Sequence, residues 1–198
     1  MSGAFSIQNR QRAVPVNTRY LRRIAETLLR NLPGINHFDL GVCLVGSEEM
    51  TRLNETFLHH QGPTDVITFD YSPRPGRGAL PRVRSNRPPD YAQAAPLAGM
   101  KVLHGEIFIC VDEAQAQGRR FRTAWQAELV RYLIHGMLHL LGYEDLHPAS
   151  RHKMKREENR RLRELRHSFA LAKVAGPRIR RCRARVANRK SKIPPAFP

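Results

Sequence analysis

The sequence predicts an α+β fold: a single domain in which a small mixed β-sheet is packed by helices, one of which carries a metal site at a cleft. Three observations lead there. Segments with helical apolar spacing are interspersed with short runs of β-branched and aromatic residues. The 198 residues, 41% of them hydrophobic, are enough for one packed core. Two histidines four residues apart, His135 and His139, sit in the most apolar of the helical segments.

Residues 1–16 read as an N-terminal extension with no signal-peptide pattern, and the domain as 17–167. Thr18 to Leu32 is expected to be the first helix, since Leu21, Ile24, Ala25, Leu28 and Leu29 share one face and Pro33-Gly34 closes it. Phe38 to Val45 reads as a strand. Ser47, followed by Glu48 and Glu49, suits the start of a second helix to about Phe57, because a hydroxyl satisfies the first free amides and carboxylates suit the helix dipole. Asp65 to Tyr71 and Gly105 to Val111 are β-rich and are expected to be adjacent central strands. Between them, 72–100 is an insertion rich in proline and glycine, which reads as a flexible linker. Asp112 is placed to cap a short helix toward Gly118, and Thr123 to cap the helix after it. Pro148-Ala149-Ser150 opens a last, basic helix to about Ala172, with Met154, Leu162 and Leu165 turned inward.

On a helix, residues four apart stand one above the other, so His135 and His139 can converge on one ion. Trp125–Leu141 contains no proline and no glycine except Gly136, and Leu129, Leu133, Met137, Leu138, Leu140 and Leu141 recur largely at helical spacing. Gly142 then offers a left-handed residue that ends the helix and turns the chain back over the metal, bringing Asp145 or His147 as a third ligand. Imidazole nitrogen and carboxylate oxygen both suit zinc at about 2.0–2.2 Å. The spacing is similar to the elongated zinc-protease pattern H-E-x-x-H-x-x-G-x-x-H, which makes the metal helix zincin-like. Gly136, however, stands where those enzymes carry the glutamate that acts as general base, so peptide hydrolysis is disfavoured. The alternative, a histidine pair satisfied by hydrogen bonds, does not account for Gly142 and Asp145.

His135-Gly-Met-Leu-His139-Leu-Leu-Gly142-Tyr143, with Pro63-Thr64-Asp65-Val66-Ile67-Thr68-Phe69 and Gly105-Glu106-Ile107 upstream, resembles the YbeY family of bacterial metal-dependent endoribonucleases, also called rRNA maturation factors, over about Arg19 to Leu165. The resemblance implies cleavage of single-stranded RNA with one zinc ion per chain, acting in 16S rRNA 3′-end maturation and ribosome quality control, with the small ribosomal subunit as partner. Two departures bear on the site. The common family pattern ends Gly-Tyr-Asp-His, with histidine as third ligand, whereas this chain has Glu144-Asp145 there and a histidine only at His147. Asp145 occupies the ligand position and is preferred, since using His147 requires a two-residue shift in the return loop. The family also commonly places an arginine where this chain has Leu58, followed by His59 and His60 as the nearest polar substitutes. Asp65 and Glu106 are candidates for orienting a ligand or positioning water, or for structural caps. No general base or nucleophile is assigned.

The net charge of +17 is concentrated at the C-terminal end: residues 1–150 hold 17 Lys and Arg against 14 Asp and Glu, and residues 151–198 hold 17 against 3. Residues 168–198 carry nine basic and no acidic residues, a composition expected to remain a disordered arm. Arg178, Arg180, Arg181, Arg183, Arg185, Arg189, Lys190 and Lys192 are suited to neutralising RNA phosphates, as Arg74, Arg77, Arg82, Arg84 and Arg87 are in the insertion. No apolar run reaches membrane-spanning length. Cys43, Cys110 and Cys182 are too few and too scattered for a disulfide framework, which fits a reducing cytoplasm. Two other functions remain open: an RNA-binding ribosome-assembly factor in which zinc is structural, and, less favoured, a metalloprotease. If Asp145 and His147 both bind, the assembly factor gains; if only one does, the enzyme gains.

Overall fold

The computed structural model describes residues 2–32, 34–72 and 101–177. The arginines of the insertion and the basic residues from Arg178 onward lie outside them.

The expected α+β fold with a small mixed sheet is what forms. Four strands, β1 (Ser2–Asn9), β2 (Ile35–Val45), β3 (Val66–Asp70) and β4 (Lys101–Cys110), lie in the order β1-β2-β4-β3. The pairs β1/β2 and β2/β4 are parallel, and β3/β4 is antiparallel. Helices α1 (Thr18–Asn31), α2 (Ser47–Leu53), α3 (Val111–Arg120), α4 (Trp125–Leu140) and α5 (Pro148–Ser168) connect and cover it. The two β-rich runs pair with each other as expected, but β4 is interior and β3 is an edge strand.

Strand alternation divides the sheet into two faces. Leu40, Val42 and Leu44 of β2 and Leu103, Ile107 and Ile109 of β4 pack in one core with Leu21, Ile24, Leu28 and Leu29 of α1, Leu133 and Met137 of α4, and Met154, Leu162 and Leu165 of α5. Cys43, Val45, Ile67, Phe69, Phe108 and Cys110 face the other way, where Met50 of α2 covers them. The inward residues expected for α1 and α5 are thus the buried ones.

Both ends of the domain differ from expectation. Residues 2–9, read as extension, pair along their whole length with His37–Leu44. The segment hides this because only Phe5 and Ile7 alternate into partial burial, too short a signal to mark a strand. Residues 168–177, read as the start of a disordered arm, are folded. Helix α5 stops at Ser168, short of Ala172, because Phe169 turns into extended backbone and sets its ring edge-on to Tyr20 at 5.8 Å. A 3₁₀ turn (Leu171–Val174) then buries Leu171 and Val174. The Asn17 amide donates to the Val174 carbonyl at 2.8 Å, and the Gly176 amide to the Pro15 carbonyl at 2.8 Å, clasping the two ends of the domain together.

The Ser47, Asp112 and Thr123 caps do not form as expected, whereas α1 starts where expected, capped by Asn17, whose side chain accepts from the Tyr20 amide. The Ser47 side chain makes no cap; instead the Ser47 amide donates to the carboxylate of Asp112 at 2.8 Å, across 65 residues of chain. Asp112 lies inside the first turn of α3, so its carboxylate caps α2 rather than its own helix. Thr123 precedes the first residue of α4 by two, and its hydroxyl donates to Glu128. After α2 the chain makes one π-helical turn (Asn54–Leu58) that ends at His59 in a left-handed conformation.

Candidate metal centre

Helix α4 is apolar on nearly every side, which places it at the centre of the molecule, against α3, α5 and the sheet. From Ala127 to Leu140 its residues are buried except Arg131, His135 and His139. Spaced by four, these three form one stripe. Close packing beneath the stripe depends on Gly136: a Cβ there would lie 2.6 Å from Cγ2 of Ile107 on β4. Any side chain there would force Ile107 or α4 to shift, so packing as well as sequence disfavours a glutamate base at this position.

Gly142 is left-handed at φ +87°, as expected, and the Tyr143 amide donates back to the Leu138 carbonyl at 3.0 Å. The return loop brings Asp145 over the histidines. One ligand atom from each of His135, His139 and Asp145 falls within 4.8 Å of the others. His147 is not in this group; it precedes α5, where its carbonyl accepts from the Arg151 amide.

Both imidazoles are held by their Nδ1 atoms. Nδ1 of His139 lies 3.0 Å from the Tyr143 carbonyl and Nδ1 of His135 lies 3.4 Å from Oε2 of Glu158. A carbonyl only accepts, and Glu158 is an ionised carboxylate. Burial pushes its carboxyl up, but the bonds from His135 and Arg131 and the charges of Lys155 and Arg131 outweigh burial and hold it at about 2. Each Nδ1 must therefore be the N–H donor. Two Nε2 lone pairs are left facing each other at 3.0 Å. A metal ion or a shared proton between them relieves that arrangement. Two nitrogens sharing a tetrahedral zinc at 2.0–2.1 Å stand about 3.3 Å apart, so the present spacing fits with a few tenths of an ångström of movement. Burial first, and then the neighbouring His135, hold the His139 pKa below the usual imidazole value, which keeps it in the neutral, ligating form.

Sequence reasoning missed Glu158 and Arg131. Glu158 is 3% exposed and is held by Arg131 Nη1 at 2.6 Å and Lys155 Nζ at 3.2 Å; Arg131 also binds Glu128 at 3.2 Å and Asn159 at 2.9 Å. The signal was there in part: Arg131 is four residues before His135, and Glu158 is one of only three acids in the last 48 residues.

The other candidates fall in different places. Glu106 precedes Ile107, which packs against α4, so its side chain projects from the opposite sheet face, where it accepts from the Tyr71 hydroxyl at 3.1 Å. It cannot orient a ligand at this centre. Oδ1 of Asp65 accepts from the Val66 amide at 2.9 Å and from the Thr64 hydroxyl at 3.2 Å, capping the start of β3, and its charge acts on His139. Leu58, His59 and His60 end the π turn and are exposed.

The fold and this cluster define an α+β protein that could hold a metal ion on two histidines of a buried helix and a carboxylate of its return loop. A family profile described as Endoribonuclease YbeY matches residues 6–166. Proteins named Endoribonuclease YbeY from Chlorobium luteolum and Syntrophus aciditrophicus are each 31% identical, over 73% and 80% of this chain and 86% and 87% of their own. One of the same name from Chlorobium phaeovibrioides is 34% identical over 61% of this chain and 64% of its own. The chain belongs to the endoribonuclease YbeY family.

Proposed function

We propose that this chain is a zinc-dependent endoribonuclease specific for single-stranded RNA that acts in 16S rRNA 3′-end maturation and ribosome quality control, in the cytoplasm and on the small ribosomal subunit. The relatives' shared name supports cleavage of RNA. The observation that carries the metal is the convergence of His135, His139 and Asp145, whose ligand atoms lie within 4.8 Å of one another, with Nδ1 of each ring already engaged elsewhere.

His135, His139 and Asp145 hold the ion, and Glu158 and the Tyr143 carbonyl fix the two imidazole rings and their tautomers. Zinc bound there supplies Lewis acidity, lowering the pKa of water and offsetting charge that develops on phosphoryl oxygens. Asp65, whose charge acts on His139, is the acidic side chain suited to position a water near the ion. Among the described residues the cluster contains three ligating side chains, which supports a centre with an open position over a closed structural zinc. No described helix is long and apolar enough to cross a membrane.

The test is parallel incubation of metal-loaded protein with single-stranded RNA, duplex RNA and an unfolded peptide, with a chelator control. Cleavage confined to single-stranded RNA and abolished by chelator is expected. Hydrolysis of the peptide alone, or RNA binding with no cleavage by fully metallated protein, would replace the reading by one of its two alternatives.

A further inference from the structure

Helix α5 begins three residues after Asp145 and is strongly basic, and two of its three acids are engaged by neighbouring side chains. Glu158 is turned in to His135 and Arg131, and Glu157 is bonded to Arg160 and to the buried Arg161, which in turn donates to the Asn31 carbonyl at 2.9 Å. Only Glu164 is exposed on the outer side. Among the described residues, Lys153, Arg156, Arg163 and Arg166 are exposed and form no ion pair with a carboxylate. Lys153, Arg156, Arg160 and Arg163 follow one another at spacings of three and four and so make a single column, in which Arg160 is paired with Glu157 and Glu164 and the other three are not. Like charges at these spacings destabilise a helix. The unpaired members of the column therefore gain stability from an anion laid along it. Its head is tied to the metal loop, because the Lys153 ammonium sits 5.6 Å from the centre of the Tyr143 ring and the Tyr143 carbonyl holds His139.

We propose that the outer face of α5, from Lys153 through Arg156 and Arg163 to Arg166, is a track for the phosphodiester backbone of the single-stranded RNA presented to the metal centre. This rests on the RNA reading above and adds the path along which the strand lies. The column supplies point charges along a backbone and no base-reading pocket, so it captures without sequence choice. An anionic membrane is the lesser fit, since α5 turns its apolar residues Met154, Leu162 and Leu165 into the core and leaves none for insertion.

The test uses the full chain with Arg156→Gln, Arg163→Gln and Arg166→Gln combined, and a control of equal charge with Arg119→Gln, Arg120→Gln and Arg122→Gln at the exposed end of α3. Affinity for a fluorescent single-stranded RNA is measured with chelator present, across a salt series, so the binding readout is independent of cleavage. Losing three phosphate contacts lowers the log–log salt slope by about 2 for single strands. That fall is expected in the α5 variant and not in the control, with zinc stoichiometry and thermal melting unchanged in both. An unchanged slope, or an equal fall in the control, overturns the track. So does loss of binding to phosphatidylserine vesicles without loss of RNA binding. Wild-type cleavage, run alongside, tells failure of the track from failure of the enzyme reading.

Discussion

Replacing Glu158 with glutamine keeps the shape of the side chain and removes its charge, and the two effects of that loss can be measured separately. The first is on the metal. With Nδ1 of His135 no longer facing a carboxylate, the imidazole is a weaker base and less firmly oriented, and losses of about 10–100-fold in metal affinity follow from removing such a partner. The second is on stability. Breaking a buried pair costs about 3–5 kcal/mol when the remaining charge is stranded, but Arg131 keeps Glu128 at 3.2 Å and Asn159 at 2.9 Å. The relevant loss is therefore the difference between charged and neutral hydrogen bonds at Glu158, about 1–2 kcal/mol. Titration of apoprotein with zinc against a chromophoric chelator reads the first, and urea unfolding of apoprotein reads the second. Lys155→Met serves as the reference, because its side chain is 58% exposed and its ion pair contributes no more than about 1 kcal/mol. Wild-type zinc affinity in the Glu158→Gln protein would refute the claim that this carboxylate fixes the ligand.

Other substitutions test the rest of the site and the fold. His135→Ala and Asp145→Ala should each lose bound zinc and RNA cleavage while His147→Ala retains both, checked by metal analysis and a cleavage assay; the reverse pattern for Asp145 and His147 would mean the return loop is misread. Gly136→Ala should destabilise by about 1–3 kcal/mol in denaturant unfolding, since its methyl would sit 2.6 Å from Ile107 and force α4 off the sheet. Truncation after Pro177 should leave melting temperature and zinc binding intact and flatten the salt dependence of RNA binding, whereas truncation after Leu171 should lower the melting temperature because it removes the fully buried Val174. The bond from Arg160, and then that from Arg161, hold the Glu157 carboxyl below its ordinary 4.5. A depressed folded pKa contributes stability that is complete above the unfolded value and fades as pH falls through the folded one, so Glu157→Gln should differ most from wild type above pH 4.5 and converge with it in more acid solution, read from urea midpoints across pH.

Helix α4 was legible because three independent signals coincide in it: helical apolar spacing, two histidines four apart, and a glycine where the chain must turn left-handed. Glu106 was misplaced for a different reason. Its spacing to the metal motif says nothing about sheet parity, and a shift of one residue along β4 decides between the face of α4 and the face of Tyr71. Helix caps were misassigned where the partner is distant in sequence, as for Asp112 on α2. Glu158 could not be recognised because its role depends on α5 folding back across α4, a tertiary fact that a run of charged residues does not encode. The strand at 2–9 and the clasp at 174–176 share this character: each is stabilised by backbone partners, which leave little imprint on side-chain choice.

The cap that Asp112 places on α2 also orders events in time. Seven residues cannot sustain a helix alone, since nucleation fixes several residues for one hydrogen bond. The first turn of α2 gains its acceptor only once α3 has docked at the end of β4. The segment from Ser47 through the π turn should therefore be among the last parts to fold and the first to open. Its amides would exchange with solvent at a smaller free energy than those of α4, in a molecule whose central helix stays closed.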